Sequence, residues 1–218
     1  MLDLSSRHLT LLPEPALVRT SPVDHPDWNY RRLLGSVQRL RFRMILSLLA
    51  GTHVARLLEI GYGSGVFMPE LAKHCDELYG VDPHPMREEV AASLSRNGVD
   101  AALTCASVES LPYRAGFFDC AVTVSALEYV PAIAPACAQI RRVLKPGGLL
   151  AVVTPGATPL WDLALRVTTG ESPSQYSDRR QKLQPALRSE FRLVREIRMP
   201  RFGSAATRLY TGLLLAAD

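Results

Sequence analysis

"LLEIGYGSGVFMPELA", residues 57–72, decides how this chain is read. A short apolar run leads into three glycines at alternate positions, and residues at helical spacing follow. That order is strand, loop, helix. Glycines let a backbone approach a ligand closely, and in open α/β sheets ligands sit outside the carboxyl ends of the strands. The spacing is G-x-G-x-G, with Val66 where a dinucleotide loop, G-x-G-x-x-G, carries its third glycine. Glu59 stands two residues before the first glycine. A carboxylate there opposes a pyrophosphate and suits a cationic or amino-bearing ligand. Asp82 ends the next apolar run, 21 residues after Gly61. A carboxylate at that place can accept both hydroxyls of a ribose.

Working outward, apolar strands alternate with helical patterns. Strands are expected at 55–60, 77–82, 101–106, 117–125 and 149–155. Helices are expected at 66–73, from Pro85 to the Asn97-Gly98 stop, and at 133–144 before "KPGG". Such alternation predicts a parallel sheet with helices on both faces. Residues 191–200 and 207–217 read as two further strands, the antiparallel end of the sheet, with a helix near 179–188 before them. The chain therefore reads as α/β, a doubly wound sheet of seven strands, mostly parallel with an antiparallel C-terminal strand. Ahead of it, residues 1–26 carry four prolines and read as an extended arm. From Asp27 to near Gly51, Leu33, Val37, Leu40, Met44 and Leu48 recur at helical spacing, with Arg32, Arg39 and Arg43 on another face.

With 218 residues, 47% of them hydrophobic, one core is expected. The net charge of +4 is too mild to mark a nucleic-acid binder, and no basic patch is interleaved with aromatics. Of the 25 cations only three are lysine, and the arginines are spread along the chain. Cys75, Cys105, Cys120 and Cys137 form no C-x-x-C or zinc spacing, so no metal is expected, and free thiols suggest a reducing compartment. The N-terminal residues lack the pattern of a signal peptide, and no run of 18 apolar residues occurs, so a cytoplasmic chain is the simplest expectation.

Four ordered motifs carry a resemblance. They are Glu59-x-Gly61-x-Gly63-x-Gly65, Asp82, "SVESLPYRAGFFDCAVTVSALEYV" (107–130) and "VLKPGGLLAVVTP" (143–155). Together, over residues 55–155, they resemble the class I S-adenosylmethionine-dependent methyltransferases, in the type 11-like branch that acts on small molecules. The resemblance implies a Rossmann-like sheet and S-adenosylmethionine as cofactor, with S-adenosylhomocysteine as product. It implies that Gly61, Tyr62, Gly63 and Gly65 face the methionine moiety and that Glu59 lies beneath, near the amino group. Asp82 would hold the ribose, Pro83 and Met86 would flank the adenine, and Ser107 and Val108 would meet its edge. Ser125 to Leu127 would pass under the sulfonium. The family often has an acid where this chain has Ser107. An uncharged hydroxyl is the weaker acceptor, which implies weaker cofactor binding.

Plainer roles stand beside these. Glu59 could cap a helix or pair with an arginine, and Asp82 could serve a turn. Asp119 and the "KPGG" turn read as architecture, and His53 and His84 as exposed loop residues without a role. Glu128 and Tyr129, after the fourth strand, are the candidates for catalysis; Glu128 could equally face solvent at a helix start. The helix 27–50 has three readings: a scaffold helix with its arginines in solvent, a lid that closes Tyr30, Arg31 or Arg32 over the ligands, and contact with an anionic membrane surface, the least favoured. The domain plan is thus 1–50 as arm and lid helix and 51–218 as the methyltransferase domain. Within it 156–190, including Trp161, is the variable segment expected to select a small, apolar or amphipathic acceptor. Two rival classes are an NAD-type oxidoreductase and a catalytically silent cofactor-binding partner protein.

Overall fold

The computed structural model describes residues 9–21, 24–32, 34–156, 179–200 and 207–218. Seven strands form one sheet: β1 (Val54–Ile60), β2 (Cys75–Asp82), β3 (Ala102–Cys105), β4 (Phe118–Val124), β5 (Leu144–Pro155), β6 (Arg192–Met199) and β7 (Tyr210–Ala216). Their order is β3-β2-β1-β4-β5-β7-β6. β1 pairs in parallel with β2 and β4, and β4 with β5. β7 runs antiparallel to both β5 and β6. The expected α/β sheet, with its single reversed strand, is the sheet observed.

Successive strand residues point to opposite faces, so each strand feeds two cores. Leu57, Leu78, Val122, Ala151 and Val153 face one core. It is closed by α1 (Leu34–Leu48), α2 (Met68–Leu71) and α3 (Arg87–Arg96). Leu58, Val81, Ala121, Leu150 and Val152 face the other. There α4 (Ile133–Val143) and α5 (Arg179–Glu190) supply Ala136, Cys137, Ile140, Leu183 and Leu187. These core side chains are almost fully removed from water, and each large aliphatic one contributes about 1.5–3 kcal/mol.

Three boundaries differ from the expectations. The segment after Asp27 is not one helix. A 3₁₀ turn, Pro26–Tyr30, comes first, and α1 begins at Leu34. The two pack so closely that a Cβ on Gly35 would lie 2.5 Å from the Asn29 carbonyl oxygen. The stripe α1 buries is also wider than the periodicity suggested: Phe42, Ile45, Leu46 and Leu49 are in the core with Met44 and Leu48. The helix expected at 66–73 shrinks to α2 and a 3₁₀ turn at Ala72–His74. Finally, "KPGG" lies inside β5, which starts directly after α4. Asp119 has the architectural place expected. It accepts from the Arg56 N–H at 2.9 Å and pairs with Lys145, tying β4 to β1 and β5. Partial burial would raise its pKa, but the bonds from Lys145 and Arg56 hold it below the usual value.

Cys75, Cys120 and Cys137 are buried and Cys105 is exposed, all as free thiols. Among the described residues no helix is long and apolar enough to cross a membrane, and no three metal-binding side chains cluster.

Candidate functional site

The sheet order reverses between β1 and β4, and the crevice there is the preferred ligand site of such folds. A cavity of about 650 Å³ opens at this point. The turn after β1 supplies Gly61, Tyr62, Gly63 and Ser64, and the end of β2 supplies Asp82, Pro83 and His84. The segment after β3 adds Ser107, Val108 and Glu109; the one after β4 adds Ser125 to Pro131. The far wall comes from the arm and α1, through Asp24, His25, Trp28, Gln38, Arg41 and Phe42.

The three loop glycines do different work. All have positive φ, where side chains are strained. A Cβ on Gly61 would lie 2.4 Å from the Ala126 Cβ, so this glycine lets the β1 turn close on the β4 turn. At Gly63 it would stand 3.5 Å from the Asp24 carboxylate, inside the cavity. At Gly65 it would meet Val90 and Leu94 of α3 at 3.2–3.3 Å. Gly65 does not line the cavity, contrary to the expectation from the motif: it is the close-packing glycine between loop and helix.

Charge is concentrated at the loop end. Glu59 is 4% exposed, and its Oε2 has no hydrogen-bond partner among the described residues. Burial first, then repulsion from Asp82, pushes its carboxyl up to about 8, against the attraction of Arg41. Glu59 neither caps a helix nor forms an ion pair within 4.0 Å among the described residues. Burial also raises Asp24, in spite of its bonds from Thr20. The Asp82 Oδ2 accepts from the Gly63 N–H at 2.9 Å and its Oδ1 from the His84 N–H at 3.3 Å, which fixes the carboxylate toward the loop. Arg41 is the counterweight. Its Nε is buried without a partner among the described residues, and its guanidinium carbon lies 5.0 Å from the Phe42 ring centre.

Several candidates sit where the sequence did not put them. His84 is buried, 8% exposed, and not on an open loop. Its Nδ1 accepts from the Met86 N–H at 3.1 Å, so its proton lies on Nε2, 3.1 Å from the Gly63 carbonyl oxygen. Met86 caps α3 and does not line the cavity, whereas Pro83 does. Tyr30 is a correction too. It is absent from the cavity wall, and its hydroxyl donates to the Leu12 carbonyl, anchoring the arm. The arginines of α1 are not all in solvent: Arg39 donates to the Asn29 carbonyl, and Arg41 faces the cavity.

Other candidates converge on the wall. Tyr62 is buried edge-on to His84 at 4.9 Å between ring centres, and burial raises its phenol. Ser107, Val108 and Ser125 all line the cavity. Ser125 holds φ 52, a left-handed conformation that a non-glycine residue adopts at a cost of about 1–3 kcal/mol. Glu128 is 2% exposed, which removes the solvent-facing reading, and Tyr129 stands at the rim, 38% exposed. His53 is exposed beside Asp76, as expected. Trp161 and most of 156–190 lie outside the described residues. Sequence reasoning missed Asp24, Arg41, His84 and Glu109. Only Glu109, two residues from Ser107, left a local signal.

The profile of a family described as a methyltransferase domain matches residues 58–152. The malonyl-(acyl-carrier protein) O-methyltransferase of Geobacter sulfurreducens is 33% identical over 125 residues, 53% of this chain and 45% of that protein. A ubiquinone biosynthesis O-methyltransferase of Xanthomonas axonopodis pv. citri is 36% identical over 110 residues, 48% of this chain and 45% of that protein. The chain thus spans about half the length of the curated relatives it matches. Among solved structures, the N-methyltransferase NodS of Bradyrhizobium japonicum in complex with S-adenosylhomocysteine superposes with a TM-score of 0.60 at 20% identity, covering 83% of this chain and 87% of that one. At that identity the likeness is one of fold. The cavity brings together a buried carboxyl whose Oε2 has no partner among the described residues, a glycine facing Asp24 across the cavity and a fixed acid at the end of β2, groups that can meet an amino group, a close-lying chain and a ribose.

Proposed function

We infer, from the match of residues 58–152 to a methyltransferase domain, that this chain transfers a methyl group from S-adenosylmethionine to a small-molecule acceptor. The observation that carries the reading is the juxtaposition of Glu59, Gly63 and Asp82 on one cavity at the switch of the sheet. When bound, S-adenosylmethionine supplies an activated methyl on a sulfonium that leaves as a neutral thioether. Asp82 accepts from the ribose hydroxyls. Glu59 offers its unpartnered oxygen to the amino end, beside Gly61, Tyr62 and Gly63. Pro83, Ser107 and Val108 border the adenine, the last through its N–H. Ser125 to Leu127 form the floor under the reacting centre. Positioning supplies most of the acceleration, because the leaving group needs no help.

Glu128 takes a proton from an acceptor hydroxyl or holds an acceptor amine, and Tyr129 flanks it at the rim. Its burial on the cavity wall supports this placement. Trp28, Phe42, Val130, Pro155 and Tyr210 complete the wall, which favours an apolar or amphipathic acceptor. The name of one relative, for ubiquinone biosynthesis, agrees with such an acceptor. Residues 1–50 serve as arm and cover, 51–218 as the catalytic domain. Calorimetry with S-adenosylhomocysteine and with NAD tests the cofactor, and transfer of labelled methyl to a panel of phenols, quinols, acids and amines tests the activity. Binding of NAD alone refutes the reading.

A further inference from the structure

The hydroxyl of Ser107 has little freedom. Its Oγ donates to the Glu109 Oε2 at 3.0 Å and accepts from the Glu109 N–H at 3.3 Å. Glu109 is itself held: its Oε1 accepts from the Ala132 N–H at 2.9 Å, at the start of α4. A serine hydroxyl has one proton and two lone pairs. Here the proton is spent on a carboxylate, which cannot give one back, and one lone pair is spent on a backbone N–H. What remains for an occupant of the cavity is one lone pair. Ser107 and Glu109 both line that cavity.

We propose that Glu109 is a positioning residue that locks Ser107 as a pure hydrogen-bond acceptor, so that this corner of the cavity selects a base bearing an exocyclic amino group over one bearing a carbonyl. The proposal rests on the methyltransferase reading and assigns the corner to the purine edge. It also reverses the expectation that an uncharged serine leaves the corner weak. The charge that would sit on an acid at 107 sits on Glu109 and acts through the hydroxyl, which becomes a better acceptor by donating to a carboxylate. A locked acceptor facing a carbonyl oxygen leaves two acceptors unpaired, the arrangement that gives polar sites their strongest discrimination.

Glu109→Gln is the informative variant because it keeps size and shape. The amide oxygen retains the bond from Ala132. The amide NH₂ faces Ser107, donates to its Oγ, and frees the hydroxyl proton to turn into the cavity. The acceptor becomes a donor. The experiment compares calorimetric binding of S-adenosylhomocysteine and S-inosylhomocysteine, which carries a carbonyl in place of the adenine amino group. The wild-type protein should prefer the adenosyl compound by about tenfold or more. In Glu109→Gln the preference should fall about tenfold from the wild-type value, and in Ser107→Ala it should fall to the share set by the Val108 N–H, which meets N1 of adenine but faces the N1–H of hypoxanthine, with the affinity for the adenosyl compound reduced. Thermal unfolding checks that the variants are folded. A Glu109→Gln protein that keeps the wild-type preference, or loses affinity for both ligands in equal proportion, overturns the proposal alone. A wild-type protein that binds neither compound overturns the reading beneath it.

Discussion

Glu59 makes the sharpest test of the site's electrostatics. Its carboxyl is 4% exposed, has an oxygen without a partner and is pushed up to about 8, from an ordinary value of 4.5. The unfolded chain releases this proton near 4.5, while the folded protein holds it until about 8. Across that window the folded state binds more protons, so stability falls as pH rises. The gap of about 3.5 pH units, at ~1.4 kcal/mol per unit, amounts to about 5 kcal/mol at most. Glu59→Gln removes the titration while keeping the volume. Below pH 4.5 the two proteins should have similar stability. Between pH 4.5 and 8 the variant should gain steadily, ending more stable by up to that amount.

Urea unfolding of both proteins at half-unit steps from pH 5 to pH 8.5 measures the difference directly, and other titrating groups cancel in the comparison. Burial and Asp82 raise the energy of an ionised Glu59, and Arg41 lowers it. If Arg41 wins, the carboxyl is ionised throughout and the stability difference does not move with pH. A flat difference therefore refutes the reasoning. The same substitution should weaken S-adenosylhomocysteine, because the cationic amino group loses a carboxyl that can ionise against it.

Asp82→Ala should weaken S-adenosylhomocysteine strongly, since each charge-assisted bond is worth roughly 1.5–3 kcal/mol; unchanged affinity by calorimetry removes Asp82 from the ribose. Gly63→Val should abolish binding, whereas Gly65→Ala should act on stability, because its Cβ would press on Val90 and Leu94 at a positive φ. A loss of about 1–2 kcal/mol in urea is expected there. Tyr30→Phe should cost about 0.5–1.5 kcal/mol of stability by releasing the Leu12 carbonyl and leave turnover unchanged; a fall in kcat would return Tyr30 to the reaction. Ser107→Asp should fail to tighten the cofactor, as its carboxylate would face Glu109 at the distance of the present hydrogen bond; tighter binding in calorimetry counts against the lock.

What was legible in the sequence follows the range of the forces involved. Strands β1, β4 and β5 carry apolar stretches, Leu57-Leu58, Cys120 to Val122 and Leu149 to Val153, between turn residues, and burial on both faces demands that composition. The glycine turn was legible for the same reason, since positive φ restricts residue type locally. The extent of α1 was not. Which of its arcs is buried depends on β4, β5 and β7, which lie far away in sequence, so Phe42, Ile45 and Leu49 fell outside the expected stripe. Asp24 and Arg41 left no trace because nothing near them marks them as cavity residues; their meaning comes from the loop across from them. His84 followed a strand-end acid and looked like solvent-facing loop, yet the Gly63 carbonyl and the Met86 N–H claim both ring nitrogens.

A set of buried polar groups on the cavity wall bears on function. Glu59 Oε2, Tyr62 Oη, Ser64 Oγ, Asn29 Oδ1 and Arg41 Nε are buried without hydrogen-bond partners among the described residues, and every one of these residues lines the same cavity. Leaving such a group unsatisfied costs about 1–3 kcal/mol. A sequence selected for stability alone would replace them with apolar residues, as it has at Phe67 and Leu71 next door. Arg43 Nε, Ser47 Oγ, Thr123 Oγ1, Thr154 Oγ1 and Thr211 Oγ1 are also unsatisfied among the described residues but lie off the cavity; for the five on its wall, an occupant can supply the partners. The groups include donors and acceptors, and the carboxyls on the wall, Asp24, Glu59, Asp82, Glu109 and Glu128, outnumber the Arg41 guanidinium, so the occupant must itself be polar at several points and carry positive charge toward Glu59. A dinucleotide brings a pyrophosphate to this loop and worsens the balance. A cofactor with an amino group, a sulfonium, a carboxylate and ribose hydroxyls offers a counterpart to each.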